Sequence, residues 1–379
     1  MPEKIKISAS YEALKQHQDL FNIFSHILES IKHPDFKLKL NELGKRVDQF
    51  TISILNRLDN LEYILEIISF LNKTTTCQII RSAEKTLMKK SGHPQTTPFC
   101  WVNMGSEARQ EQVVRTDQDN AIIYANPVTG NNIETDLFFK QLSAIVVEDL
   151  EAFGFKKCIG NVMAVNPVWR RSIHNWMTAL DEWVGSSEPA DVRKLTILLD
   201  FKAIYGDLTL AEKVHSRVFE LFGQTISVSH YLTRDDKLFK SPKTLFGRIR
   251  THRSGSCKEC FNLKTSGLAH LINGIRILAV NNWIKEPSTL ERMARLKGKQ
   301  VISSTEYNTY KSAFTLLMKM KITHHFLEKK GAPLPDNCID LSRLTNSQKK
   351  ELSHALKAVK VLQKRINKLY NVVWMNFFN

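Results

Sequence analysis

The sequence predicts a mostly helical α+β protein in which a small mixed-sheet unit lies between two helical regions. Apolar residues recur at three- and four-residue spacing before residue 75 and again from residue 208, as they do on amphipathic helices. Between these regions the chain carries short apolar runs that are typical of buried strands. The 379 residues suffice for two or three domains with sizeable cores.

Residues 1–74 are predicted to form an N-terminal helical bundle that packs on the rest of the chain. One apolar set runs from Leu20 to Ile31 and a second from Val47 to Ile68, each with helical spacing. Pro34 separates them, because proline disfavours helical geometry in the residue before it. A helix pair that binds a partner is the alternative interpretation.

Residues 75–207 are predicted to form the mixed-sheet unit. A helix over residues 78–90 ends at a glycine and a nearby proline, which together form a stop signal. Strands are predicted over 98–104, 120–125 and 194–200, and a helix over 137–153. The remaining residues, 208–379, are predicted to be helical, with an amphipathic terminal helix over 356–370.

The composition indicates which kind of binding partner and which cellular location we expect for this protein. Lys and Arg number 54 against 38 Asp and Glu, so the net charge of +16 favours anionic partners. Counts of 15 Gly and 11 Pro exclude a collagen-like or low-complexity chain. The N-terminus has no apolar stretch of the secretory type and no run of 18 apolar residues occurs, so we expect a cytoplasmic protein without a membrane span.

Three minor features each have a purely structural interpretation as well as a functional one. Cys257 and Cys260 form a lone CxxC pair, which is weak evidence for a metal or redox role, and two loop thiols in a reducing compartment are the favoured interpretation. The basic run over 240–253 is either a solvated loop or a docking surface for an anionic acceptor or a triphosphate. His324 and His325 are expected on a partly exposed helix face.

The stretch from Met104 to Tyr124 carries the most chemical information. Gly105 and Ser106 follow a predicted strand and precede a candidate helix. Glycine allows a tight turn and a close backbone approach to a ligand, and N–H groups at a helix start suit phosphate. The Ser106 hydroxyl adds a further donor.

Asp117 and Asp119 stand two positions apart at the mouth of the second predicted strand. Residues at i and i+2 of a strand share a face, so the two carboxylates can share divalent cations. Mg²⁺ is the most plausible ion, because it prefers carboxylates together with substrate phosphates. Arg109 and Arg115 bracket this loop and are candidates for neutralising triphosphate charge.

These motifs resemble the nucleotidyltransferase domain of the DNA polymerase β superfamily. The closest resemblance is to the nucleotidyltransferase family related to PII uridylyltransferase. The family pattern Gly-Ser-x-Gly-Arg-x-Glu stands here as Gly-Ser-Glu-Ala-Arg-Gln-Glu over 105–111, followed by Thr-Asp-Gln-Asp-Asn-Ala over 116–121. Other similar segments lie at 154–158, 162–169, 199–207, 239–247, 262–264, 274–279 and 288–292.

The resemblance implies a polymerase-β-like sheet and a defined reaction. A nucleoside monophosphate would move from a nucleoside triphosphate to an acceptor, with Mg²⁺ or Mn²⁺ as cofactor and pyrophosphate as product. Gly105 and Ser106 would bind the phosphates, and Asp117 and Asp119 the metal. Asp200 is the candidate for a third carboxylate that helps to activate the acceptor, with helix capping as its alternative role.

The sequence departs from the family pattern at three positions. Ala108 replaces a glycine and would restrict the loop if that position requires positive φ. Gln110 replaces a small residue. Lys202 stands where the family has arginine and lacks the bidentate fork.

Three functions stay open at the level of sequence. The first is a transferase acting on a protein side chain, by analogy with the uridylyltransferase. The second is a nucleotide-sensing regulatory protein with weak or no turnover. The third is an RNA-modifying nucleotidyltransferase, and nucleic acid is the less favoured partner because the chain shows no RNA-recognition signature.

Overall fold

A computed structural model describes residues 9–91, 96–127, 132–186, 188–224, 260–327 and 337–375, together with Ile249. It confirms the predicted class, with a small mixed sheet in the middle of the chain and helices toward both ends. One compact unit comprises Met1–Ser186 and Asp200–Arg217, and the other Ser187–Leu199 and Val218–Asn379. In the described ranges, no helix meets the length and apolar character that a membrane crossing requires.

The first unit begins with helices α1 (Ala9–Lys15), α2 (Gln18–Lys32), α3 (Leu40–Leu55) and α4 (Leu61–Ser91). The two predicted apolar stripes are buried, and α2 ends before Pro34 as expected. Helix α4 is one continuous helix of 31 residues. It therefore crosses residue 74, where the sequence suggested the end of the N-terminal region.

Four strands form the main sheet, in the order β5–β3–β1–β6. They are β1 (Phe99–Met104), β3 (Asn120–Tyr124), β5 (Arg170–Ser172) and β6 (Phe201–Gly206). Strand β1 pairs antiparallel with β3 and β6, and β3 pairs parallel with β5. Every residue of β1 is buried, since strands cover both of its edges and side chains cover both faces. The predictions for β1 and β3 are confirmed.

A second ribbon and three helices complete this unit around the sheet. Strand β2 (Asp117–Gln118) pairs parallel with β4 (Lys156–Lys157). The helices are α5 (Gly105–Ala108), α6 (Asn132–Phe153) and α7 (Ile173–Ser186). The Trp176 indole donates to the backbone oxygen of Ile122 at 3.1 Å, which ties α7 to β3.

The strand predicted over residues 194–200 is wrong. Helix α8 (Pro189–Leu198) occupies most of that segment, and the strand β6 follows it. Proline at the first helical turn favours the helix start, and Val192, Leu195 and Leu198 form one buried helical face. A short apolar run of this kind does not distinguish a buried strand from a buried helix.

In its described residues, the second unit is helical apart from one small ribbon. Strand β7 (Cys260–Asn262) pairs antiparallel with β8 (Cys338–Asp340). The helices that follow α9 (Leu208–Gln224) in the described residues are α10 (Ala269–Asn281), α11 (Thr289–Gly298), α12 (Ser304–Leu327) and α13 (Asn346–Met375). Helix α13 confirms the predicted terminal helix.

Two minor predictions have different outcomes. His324 on α12 is buried with 8% exposure, whereas His325 is partly exposed, so the expected exposed face holds for the second histidine alone. Cys257 and the basic run over 240–253, except Ile249, lie outside the described residues.

Candidate functional site

The Gly-Ser turn lies where β1 runs directly into α5. Gly105 has φ +60°, a left-handed conformation that glycine adopts at little cost. The Met104 amide donates to the Asp119 carbonyl at 2.8 Å, and the Gly105 amide donates to the Asp200 carbonyl at 2.9 Å. The backbone on either side of the turn is therefore held between the residues that precede β3 and β6.

The Asp119 carboxylate packs directly against Gly105. A Cβ atom on Gly105 would lie 2.7 Å from Asp119 Oδ2, closer than real Cβ contacts allow. The absence of a side chain at residue 105 thus creates the space that this carboxylate occupies. The structure brings together the turn and one predicted metal ligand.

Asp117 and Asp119 lie on either side of Gln118, the first in β2 and the second between β2 and β3. The intervening Gln118 is buried, and its Nε2 donates to the backbone oxygens of Val147 and Phe155. Asn120 Nδ2 donates to Gln118 Oε1 at 3.1 Å, so these two polar side chains point to the same inner face. Alternation along an extended chain places the two aspartates on the opposite face, where both are partly exposed.

The backbone of Asp200 lies next to the turn, but its carboxylate already accepts a hydrogen bond from another side chain. Its side chain is buried and accepts from Arg109 Nη1 at 2.7 Å. Arg109 Nε donates to Glu111 Oε2 at 2.8 Å, and Glu111 is also buried. Burial alone would lower the pKa of Arg109, but the two carboxylates outweigh it and raise that pKa. Arg109 is thus fixed between two buried acids.

Glu111 is a site residue that the sequence interpretation did not single out. It belongs to the Arg-x-Glu part of the family pattern, and that spacing was the available signal. Its backbone amide also donates to the Ser106 carbonyl at 2.9 Å. Glu111 therefore contacts the turn as well as the arginine.

Arg115 contacts the N-terminal helices. Its Nη2 donates to the Gly44 carbonyl at 2.6 Å and lies 2.7 Å from Asp48 Oδ1. Its guanidinium also packs 4.8 Å from the centre of the Phe153 ring. Burial lowers the pKa of Arg115, which Asp48 partly offsets. These contacts support a structural role and give no support to triphosphate binding by Arg115.

Two further titratable groups at the site come from the structure alone. Burial raises the pKa of Glu107 to about 8, although the charges of Arg115 and Lys202 act in the opposite direction. Burial, together with the nearby Asp119 carboxylate, raises the pKa of Cys158 to about 11. Residue 107 occupies a variable position of the family pattern and Cys158 lies 39 positions from Asp119, so no local pattern indicated either.

The backbone strain in the motif falls on a different residue from the one expected. Ala108 lies inside the helical turn α5, so this position does not require positive φ. The left-handed residue that follows is Gln110, with φ 59°. A side chain at that position is disfavoured, which explains why a small residue suits it.

The donors at this site fit a hard divalent cation in part. Among the residues described, no three His, Cys, Asp or Glu side chains converge to hold a metal ion by themselves. Asp117 and Asp119 supply carboxylate oxygens, and Mg²⁺ commonly takes one or two such ligands together with water and substrate phosphates. Asp200 does not complete the set while Arg109 holds its carboxylate.

Comparison with protein families gives two matches that together span most of the chain. Residues 45–190 match the family described as "Putative nucleotidyltransferase DUF294". Residues 227–370 match the family described as "Putative nucleotidyltransferase substrate binding domain". The first match contains the Gly-Ser turn and both aspartates, whereas Asp200 lies between the two matches. No curated protein matches the chain at a significant level.

Proposed function

Because this chain belongs to the DUF294 nucleotidyltransferase family, we propose that it moves a nucleoside monophosphate from a nucleoside triphosphate to an acceptor hydroxyl. One observation carries the proposal. The Asp119 carboxylate lies against the Gly105 backbone, and the alternation of side chains along the chain supports the same side for Asp117. Family membership supports the transferase class, and this placement supports the phosphate chemistry.

The turn provides the phosphate-binding part of the proposed site. Gly105 and Ser106 are partly exposed, and the Ser106 hydroxyl would be the phosphate donor there. Hydrogen bonds from Met104 and Gly105 to the neighbouring strands fix the turn before substrate arrives. A preformed donor set of this kind stabilises developing charge without reorganisation.

Asp117 and Asp119 are the residues that would hold Mg²⁺ or Mn²⁺. The bound ion would neutralise triphosphate charge and orient the phosphates for in-line displacement. The two carboxylates would in turn fix where the triphosphate lies relative to Ser106.

The transfer itself requires one bond to form and one to break. The acceptor oxygen bonds to the α-phosphorus, and the bond from that phosphorus to the bridging oxygen of pyrophosphate breaks. The acceptor proton leaves to solvent water, because the turn is partly exposed. Activation of the acceptor by Asp200 stays a prediction, since its contact with Arg109 favours a positioning role.

A protein side chain is the acceptor that we propose. The resemblance to PII uridylyltransferase supports this choice, and the match over 227–370 supplies a candidate substrate-binding domain. The net charge of +16 suits both an anionic nucleotide and an acidic acceptor surface. The same positive charge also supports RNA as an acceptor, although RNA is less favoured than a protein side chain.

A nucleotide sensor without turnover is the second candidate. The pairing of Arg109 with Asp200 and Glu111 favours it, because this arginine is then not available to the triphosphate. Lys202 also favours a sensor, because it replaces the family arginine and lacks the bidentate fork.

The test is incubation of the full chain with each labelled nucleoside triphosphate, Mg²⁺ or Mn²⁺, and a cell lysate. We expect pyrophosphate release and label on protein, with a loss of about 100-fold or more in Asp117→Asn and Asp119→Asn. Asp181→Asn is the matched control, since Asp181 is an exposed residue of α7 that pairs with Arg217.

The outcomes separate the candidates. Metal-dependent nucleotide binding without pyrophosphate release favours the sensor, and label on nucleic acid favours the RNA-modifying enzyme. If all four nucleotides fail both to bind and to react, or if the two aspartate variants behave like the control, the proposed site is wrong.

A further inference from the structure

A polar cavity lies at the C-terminal end of β3. This end of the strand is remote from the proposed transfer site. The volume of the cavity is about 690 Å³, within the range of small-molecule sites. Tyr124, Arg170, Arg171 and His174 are among its lining residues. Asp119 precedes β3 and Tyr124 ends it, so at about 3.3 Å per residue the two residues are roughly 17 Å apart.

Arg170 supplies a buried positive charge to this cavity. Its side chain is 3% exposed, and Nη1 donates to the backbone oxygens of Ala164 and Val165, both at 3.0 Å. Within the described residues its Nε has no hydrogen-bond partner and lies 3.6 Å from Asp136 Oδ1. The two carbonyls and the Asp136 carboxylate therefore hold Arg170 in the wall of the cavity.

Arg171 offers the more accessible guanidinium. Its Nε donates to the Val168 carbonyl at 3.0 Å, and its guanidinium packs 5.8 Å from the centre of the Trp183 ring. These two contacts fix the side chain, while no described group accepts a hydrogen bond from its Nη atoms. Burial lowers the pKa of Arg171, with partial compensation from Glu182. Its charge is therefore incompletely neutralised.

The remaining polar groups of the cavity are paired with each other. The Tyr124 hydroxyl interacts with Asp136, and burial raises the pKa of this tyrosine, so it stays protonated and donates. Asp136 is thereby shared between Tyr124 and Arg170. The backbone amide of His174 donates to Asn126 Oδ1 at 3.2 Å, which fixes the rim. Asp136 is thus engaged in the wall of the cavity, and Arg171 is the guanidinium that keeps Nη donors for a ligand.

We propose that this cavity binds a small metabolite carrying a carboxylate or phosphate group, at a site separate from nucleotidyl transfer. The oxyanion would pair with Arg171, since guanidinium groups favour bidentate contacts with both kinds of oxyanion. Pro127, Pro167 and Val168 give the cavity an apolar wall for the carbon part of the ligand.

Isothermal titration calorimetry on the full chain tests this site with inorganic phosphate, glycerol 3-phosphate and succinate as probes. We expect at least one probe to bind with Kd below about 1 mM, and Arg171→Gln to weaken it about tenfold or more through loss of a charge-assisted hydrogen bond. Arg57→Gln, which changes an exposed arginine between α3 and α4, is the matched control and should bind like the wild type.

The probes also identify the ligand class. Binding of the two phosphate compounds alone assigns phosphate, and binding of succinate assigns carboxylate. The proposal is overturned if no probe binds below about 1 mM, or if Arg171→Gln binds as tightly as Arg57→Gln. It is equally overturned if Ser106→Ala abolishes phosphate binding while Arg171→Gln retains it, because the ion would then occupy the transfer site.

Discussion

Arg109 Nη1 donates to Asp200 Oδ2 at 2.7 Å, and this buried ion pair ties the Gly-Ser turn to the start of β6. The Arg109 amide donates to the Gly105 carbonyl at 3.1 Å, and the Gly105 amide donates to the Asp200 carbonyl at 2.9 Å. These three hydrogen bonds connect residues 105, 109 and 200 to one another in a ring. The shape of the turn therefore depends on the ion pair.

Replacement of Arg109 by methionine should destabilise the fold strongly. It leaves the buried carboxylates of Glu111 and Asp200 without their cation, which typically costs about 3–5 kcal/mol. Urea unfolding of the two proteins measures the change. Arg57→Met removes an exposed pair with Asp19 and should cost about 0–1 kcal/mol. If the two variants lost the same free energy of unfolding, the buried ion pairs of Arg109 would contribute no more stability than the exposed pair of Arg57.

Gly105→Ala should impair both stability and transfer. The new Cβ would meet Asp119 Oδ2 at 2.7 Å, and φ +60° is disfavoured with a side chain, so we expect a loss of about 1–3 kcal/mol. Pyrophosphate release should fall because the carboxylate is displaced. Gly185→Ala in α7 has open space around it and should be neutral or stabilising by up to about 1 kcal/mol. An active, fully stable Gly105→Ala variant contradicts the geometry.

Arg115→Met should lower stability without changing the apparent affinity for nucleotide. The arginine bonds to Gly44 and Asp48, so its loss removes a charge-assisted hydrogen bond and leaves the partly exposed Asp48 carboxylate without its cation, which should cost about 1–2 kcal/mol. Thermal unfolding and the KM for the triphosphate, measured well below the melting temperature, check the two parts. A KM raised tenfold would instead support the triphosphate role that the sequence suggested.

Glu107 should make stability depend on pH. Its pKa is raised to about 8, so between its ordinary value of 4.5 and 8 the folded protein binds the proton that the unfolded chain has released. Stability from this group is therefore present at low pH and is lost as pH rises toward 8.

The Glu107→Gln variant tests this dependence. Relative to the wild type, the free energy of unfolding of Glu107→Gln should be similar near pH 4.5 and should increase steadily up to about pH 8. Denaturant unfolding at several pH values measures the difference, and Glu42→Gln, at an exposed position, is the control. A difference that does not change with pH would refute a raised pKa.

Local pattern in the sequence was enough for most elements and for the family, whereas the roles of the site residues stay predictions. Apolar periodicity predicted the helices, and the runs at β1 and β3 predicted buried strands, because these signals depend on neighbours a few residues away. The order of glycine, serine and the two aspartates indicated the family for the same reason. The segment over 194–200 failed because its apolar run fits a buried helix equally well.

What only the tertiary structure decided is how each charged side chain is used. In the sequence, Arg109 and Arg115 are equivalent flanks of one loop. In the fold, the first pairs with a carboxylate 91 positions away and the second with a carbonyl 71 positions away. Charge interactions act through space with a strength set by distance and burial, and neither quantity is written in local spacing. The sequence thus determined which residues form the turn and the acidic pair, and the packing of distant segments determined their partners.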